Sequence, residues 1–212
     1  MYFVENSSNQ ALPDIAACHI ACFPLSLSTR LGKKYVQKSL EWFLINPNRF
    51  LFHVSFNGKV LGYCGGFLPV KVGDGSSSGM LQHGFKQAVF GLIKNPLLLF
   101  HQEVRPYYPF MWLNIKRKIT GKAIPISPVD PSKPFEPKVG LVVIGVHPDS
   151  RGSGIVQLLM KEFESRTKAF NQNEMVLSVK KNNTRAVKAY MNNGWEVKGE
   201  KKGILSMHKI IS

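Results

Sequence analysis

The chain has 212 residues, long enough to bury a sizeable core, and its 44% apolar content and mean hydropathy of -0.08 are ordinary for a soluble globular protein. A net charge of +15 is not ordinary, and it favours anionic partners: a polyphosphate cofactor, a nucleotide-linked substrate, an anionic membrane surface or nucleic acid. It disfavours a polycationic acceptor such as a polyamine or a histone-like tail, because like charges repel on approach.

Cys18, Cys22 and Cys64 form neither an even disulfide set nor a metal-ligand spacing with nearby histidines, so a reducing compartment and no metal are expected. Cys18 and Cys22 read as small buried residues one helical turn apart. The opening residues lack a basic region followed by an apolar run, which predicts a cytoplasmic protein.

In chain order, residues 2–4 predict a short strand and residues 11–23 a helix with Leu12, Ile15, Ala16, His19 and Ile20 on one face, closed by Pro24. A second helix is expected over 32–44, where Tyr35, Val36, Leu40, Phe43 and Leu44 recur at helical intervals. Residues 50–56 and 60–68 are strand-like, and Asn57-Gly58 between them is a strong hairpin signal. The glycine- and serine-rich stretch 73–79 then reads as a flexible loop, and 80–104 as an apolar helical stretch broken at Asn95-Pro96. An aromatic and cationic group (Arg105, Tyr107, Tyr108, Phe110, Trp112) and a basic cluster (Lys116 to Lys118) follow. Prolines at 125, 128, 131, 134 and 137 next predict an extended connector.

We read 69–138 as an insertion within a single domain spanning 1–212. Its apolar part is too short to cross a bilayer. It reads either as a buried helical hairpin over a substrate cleft or as a helix making weak membrane-surface contact through 80–104, with Phe85, Phe90, Ile93, Leu97 and Phe100 turned down and Lys86 and Lys94 snorkelling.

Residues 139–146 are nearly continuous apolar, as expected of a buried strand, and Pro148 stops them. Helical spacing resumes at Ile155, Leu158, Leu159 and Phe163. Between strand and helix, Arg151, Gly152, Ser153 and Gly154 bring backbone N–H groups to a helix start, where unsatisfied donors and the helix dipole favour an anion. His147 beside the strand-ending proline is expected to face solvent. Residues 175–180 predict a further strand, 183–193 a helix ended by Gly194, and 195–197 and 204–210 two final strands. Alternating strands and helices joined to a hairpin predict an α/β fold, α+β in its mixed sheet.

The run Val146-His-Pro-Asp-Ser-Arg-Gly-Ser-Gly-Ile-Val, followed by Asn183-Thr-Arg-Ala-Val-Lys-Ala-Tyr190 and Gly194-Trp195, resembles the GNAT family of acyl-CoA-dependent N-acyltransferases. The first segment follows that family's Arg/Gln-x-x-Gly-x-Gly/Ala pyrophosphate turn except at Val156. The second follows its Asn-x-x-Ala-x-x-x-Tyr-x-x-x-Gly-Phe ending, with Trp195 for Phe. The Leu31-Gly32 segment resembles a bacterial subgroup linked with cell-surface sugar biosynthesis.

The resemblance implies acetyl-CoA as acyl donor. Its pyrophosphate would lie on the backbone of Arg151, Gly152, Ser153, Gly154, Ile155 and Val156, and its pantetheine arm would pair with the backbone of Ile144 and Val146. Gly145 is expected either at a β-bulge or as a packing glycine. Asn183 would be a cofactor-contacting amide or a helix cap, and Ala186 a small residue facing the cofactor. Tyr190 would be the general acid that protonates the departing thiolate, or a core aromatic.

The strand carries no carboxylate for a general base, since Gly140, Leu141, Val142 and Val143 are apolar or glycine and Glu136 falls outside it. Water, a backbone carbonyl, His83, His101, Glu103 and Tyr108 stay open for that role. The implied function is direct acyl transfer to a primary amine of a small anionic acceptor such as a nucleotide-linked amino sugar, with backbone amides polarising the thioester carbonyl. Acylation of a peptide or protein amine, and a non-catalytic module that binds acyl-CoA or a membrane surface, are the alternatives. No specific nucleic-acid partner is expected, because the basic clusters are short and dispersed.

Overall fold

A computed structural model describes residues 2–71, 74–101, 104, 108, 109, 112 and 135–211. The expected features at Arg105, Tyr107, Phe110, Lys116 to Lys118 and the prolines at 125–134 lie outside the described residues, as does Glu103.

Seven strands form one mixed sheet: β1 (Phe3–Asn6), β2 (Arg49–Phe56), β3 (Lys59–Phe67), β4 (Val139–Val146), β5 (Glu174–Lys180), β6 (Glu196–Lys201) and β7 (Ile204–Ile210). Their spatial order is β1-β2-β3-β4-β5-β7-β6. All neighbours are antiparallel except β4 and β5, which run parallel. The helices are α1 (Leu12–Cys22), α2 (Leu27–Arg30), α3 (Lys33–Glu41), α4 (Ser76–His83), α5 (Phe85–Lys94), α6 (Ile155–Ala169) and α7 (Thr184–Met191). The mixed α/β class expected from the sequence is the one observed.

Most of the chain-order reading is reproduced, with local differences. Asn57 and Gly58 both have positive φ, 49° and 73°, which gives the hairpin turn the twist that flanking strands require. Part of the expected flexible loop at 73–79 is already helical, because α4 begins at Ser76. Asn95 ends α5, and Pro96–Phe100 continues as a 3-10 turn, since proline cannot donate to the preceding helix.

Alternation along β2 sorts its side chains between two cores. Phe50, Phe52 and Val54 face α6 with Leu159 and Phe163, while Leu51 faces α1 and α3 with Ile15, Val36 and Leu40. Helices thus cover both faces of the sheet. A third, small cluster of Leu31, Ala88 and Leu98 ties α5 and the 3-10 turn to the rest.

The helix layers come close because β3 is glycine-rich. A Cβ on Gly62 would stand 2.9 Å from Ile155 Cγ2, and one on Gly66 would stand 2.5 Å from Phe163 Cε2 and 2.6 Å from Phe50 Cζ. Two bulky rings occupy the volume that a methyl group at residue 66 would need. Gly66→Ala is therefore expected to lower stability by about 1–3 kcal/mol in denaturant unfolding, as overpacked cores do. Gly199→Ala, where no atom lies within 4 Å of the added Cβ, should stay within about 0.5 kcal/mol of the parent.

Candidate active site

The parallel pair β4 and β5 is joined at Val139 with Met175 and Gly140 with Val176, and no further ladder pair joins the two strands among the described residues. A β-bulge follows at once. Gly66 of β3 opposes Leu141 and Gly65 opposes Val143, so Val142 is the extra residue on β4. A bulge bends its strand and increases local twist, which turns the rest of β4 away from β5. Of the two readings left open for Gly145, the bulge is at Val142 instead. Gly145 pairs regularly with Tyr63, and a Cβ there would meet the Tyr63 ring at 2.7 Å and Cys22 Sγ at 3.1 Å, so it is a packing glycine.

A cleft of about 600 Å³ opens where the strands part. Its walls are Val142 to Val146 of β4 and Ser178 to Lys180 of β5, with the start of α6, the inner side of α7, and Cys22 and Phe23 at the end of α1. Ile144, Gly145, Val146, Arg151, Gly152, Gly154, Ile155, Val156, Asn183, Ala186 and Tyr190 all line it. Ser153 alone of the cofactor set does not, and its hydroxyl donates to the Ser150 carbonyl at 2.6 Å.

At the cleft mouth, Pro148–Ser150 forms one 3-10 turn and the chain then enters α6 through Gly152 and Gly154, both at φ 82°. That left-handed conformation favours glycine. Gly154 caps α6 with no side chain of its own, so the first-turn N–H groups have no side-chain cap. Val156 packs partly on the main core while lining the cleft, so its isopropyl group is shared between core and lip. His147, expected to face solvent, is half-buried, and its Nδ1 accepts from the Asp149 N–H at 3.4 Å, which braces the turn.

Of the two expected places for Asn183, the helix cap is the one the geometry shows. It lines the cleft, and its side-chain oxygen accepts from Ala186 N–H at 3.3 Å as the cap of α7. Tyr190 is likewise both core and cleft residue, at 8% exposure, with its ring 6.0 Å from Trp195. Burial, with Cys64 nearby, raises its pKa well above the usual phenol range, so it holds its proton near neutrality.

Sequence reasoning missed a second layer behind Gly145. Tyr63, fully buried, hydrogen-bonds through its hydroxyl to His19 Nδ1 at 2.5 Å, and His19 Nε2 lies 2.9 Å from Ser28 Oγ. Burial lowers the His19 pKa to about 4, leaving a neutral imidazole near neutrality. Ser28 also edges a separate, largely apolar cavity of about 180 Å³ formed by Leu27, Leu31, Tyr35, Leu81, Phe85 and Leu92.

Cys22 was read only as a buried small residue, yet it lines the cleft. The hydrogen bond shared with Cys18, 4.0 Å away, together with Arg151 and Arg185, lowers its pKa, while Cys18 is raised. No signal separated Cys22 from an ordinary core cysteine, because its position depends on how the end of α1 meets β4.

Of the side chains left open as bases, His83, His101 and Tyr108 lie elsewhere. His83 bonds Glu41 at 2.9 Å, Tyr108 donates its hydroxyl to the Leu99 carbonyl, and neither these nor His101 line the cleft. Glu136 is exposed outside β4, and no carboxylate lines the cleft among the described residues. Nor does any group of three or more His, Cys, Asp or Glu side chains among them form a metal site.

Residues 94–195 match the model of the acetyltransferase (GNAT) family. An acetyltransferase of the GNAT family from Streptococcus pneumoniae superposes with a TM-score of 0.57 at 13% identity, with 100% of each chain covered. The PaiA N-acetyltransferase from Thermoplasma acidophilum, in complex with coenzyme A, gives 0.56 at 11% identity over 99% of both chains. An aminoglycoside 6'-N-acetyltransferase from Acinetobacter baumannii gives 0.57 at 11% identity over 95% of both. No curated protein matches the chain by sequence. At such identities the structures speak for the fold, a seven-stranded mixed sheet of the GNAT acyltransferase type. The family-model match spans 102 of the 212 residues, and together with the shared fold it makes this chain similar to the GNAT acetyltransferases.

Proposed function

We propose that this protein transfers an acetyl group from acetyl-CoA to the primary amine of a small anionic acceptor, such as a nucleotide-linked amino sugar, by direct attack within the cleft. The observation that carries the reading is the parting of β4 and β5 beside an uncapped glycine turn, with Tyr190 in the same cleft. The cleft fits the donor on three counts. The β5-facing edge of β4 beyond Gly140 has no strand partner among the described residues and suits an extended amide-bearing arm. The α6 start offers N–H donors to a pyrophosphate. Arg151, Arg185 and Lys180 line the mouth and supply positive charge.

When bound, the donor supplies an acyl group activated as a thioester. Ile144, Gly145 and Val146 would align the arm, and Arg151 to Val156 would hold the pyrophosphate through their backbone. Asn183 and Ala186 would close the α7 side. Holding both reactants in one cleft removes much of the entropic barrier, and backbone N–H groups of the wall polarise the carbonyl under attack. Tyr190 is protonated near neutrality and gives its proton to the departing sulfur. We assign the acceptor's proton to solvent water, because no carboxylate lines the cleft among the described residues.

The anionic acceptor is supported by the charge of +15 and by the resemblance around Leu31-Gly32. We further propose one domain over 1–212, with 69–138 as an insertion seated on α2 and α3. In support, Gly91 of α5 closes on the Leu31 backbone. None of the described residues of 76–112 lines the cleft.

Tyr190→Phe should leave acetyl-CoA affinity in calorimetry unchanged and lower kcat by roughly 10²–10⁴-fold; unaltered turnover by a folded variant would remove the general-acid role. Gly154→Ala, forcing a side chain into the φ 82° position, should weaken acetyl-CoA binding about tenfold, with thiol release at saturating donor much less affected.

His19 also predicts a pH dependence of stability. Its folded pKa of about 4 lies below the usual 6.5, so on acidification through that window the unfolded chain takes up the proton first and the fold loses stability. His19→Gln should flatten this loss in denaturation curves collected between those two pH values.

A further inference from the structure

We infer that the outer face of α5 and the following 3-10 turn docks on an anionic lipid bilayer. The inner face of this segment is committed to the protein. Ala88, Gly91 and Leu98 are buried, and a Cβ on Gly91 would lie 2.4 Å from the Leu31 carbonyl oxygen, so the helix is seated too closely to roll over. The opposite face is apolar and open. Phe90, Ile93, Leu97 and Phe100 are 52%, 71%, 77% and 73% exposed, four large hydrophobics within eleven residues of chain. Helical spacing from Lys86 through Phe90, Ile93, Lys94 and Leu97 puts both lysines on the same side, each of them exposed. Lys94 Nζ stands 4.8 Å above the Phe90 ring, with its charged end at the margin of the apolar patch.

The occupant follows from charge and length. Burying several large side chains in the acyl boundary is favourable in proportion to their area, and lysines at the rim are drawn to anionic headgroups. From 76 to 135 the sequence carries eight Lys or Arg against only Glu103 and Asp130, which matches the attraction. α5 spans only Phe85–Lys94, and no helix among the described residues is long and apolar enough to cross a membrane. The segment therefore lies on the bilayer rather than through it. Such docking would hold the α3 side of the protein, against which α5 packs, at the membrane surface.

The test is co-sedimentation of the full chain with vesicles of phosphatidylcholine and phosphatidylglycerol, against vesicles of phosphatidylcholine alone. The expected result is binding to the anionic vesicles that weakens with added salt. Both Leu97→Glu/Phe100→Glu and Lys86→Glu/Lys94→Glu should reduce it about tenfold or more while acetyl-CoA binding by calorimetry is retained. Retained donor binding shows the variants folded and keeps this outcome separate from that of the acyltransfer reading. Absence of wild-type binding, or binding indifferent to the Leu97/Phe100 change, would overturn the proposal. So would a concentration-dependent dimer in sedimentation velocity that the same change dissolves while vesicles go unbound, since the face would then belong to a second copy.

Discussion

The separation of β4 from β5 after two residue pairs is the constraint on which the rest of the molecule depends. A sheet satisfies its backbone groups by pairing, so an unpaired inner edge is costly unless something else occupies it. Here the extra residue at Val142 bends β4 just past the last shared pair, and the two halves of the sheet diverge. The cleft, the exposed β4 edge and the placing of α6 and α7 on either side of the opening all follow from that divergence.

Close packing on β3 supports this geometry from below. With little side-chain volume at Gly62, Gly65 and Gly66, α6 and Phe43 press on opposite faces of the strand. α6 is thereby held so that its first turn meets the cleft mouth, and a looser strand would move those N–H groups relative to β4. Gly145 serves similarly across the sheet. It admits the Tyr63 ring and Cys22, and so connects the cleft wall to His19.

The electrostatics divide by depth. The mouth carries Arg151, Arg185 and Lys180, suited to phosphates, while Tyr190 lines the wall and Tyr63 and His19 lie behind it. Tyr190 and Tyr63 keep their protons because burial penalises phenolate, and His19 stays unprotonated because burial penalises imidazolium.

The sequence by itself determined the local pieces. Asn57-Gly58 set a hairpin because both residues tolerate positive φ, Pro148 ended β4, and the spacing of Gly152 and Gly154 marked an anion-accepting turn before an amphipathic helix. These are contacts within a few residues, for which chain chemistry suffices. Only the tertiary structure decided the bulge at Val142 rather than Gly145, because register is set by β3 across the sheet. It alone brought His19, Ser28 and Tyr63 together, two of them 44 positions apart, and placed Cys22 in the cleft. The outward face of α5 was undecided from periodicity, since a helical stripe does not say which side the rest of the chain will cover. Gly91 against Leu31 settles it, because that contact leaves room for only one seating.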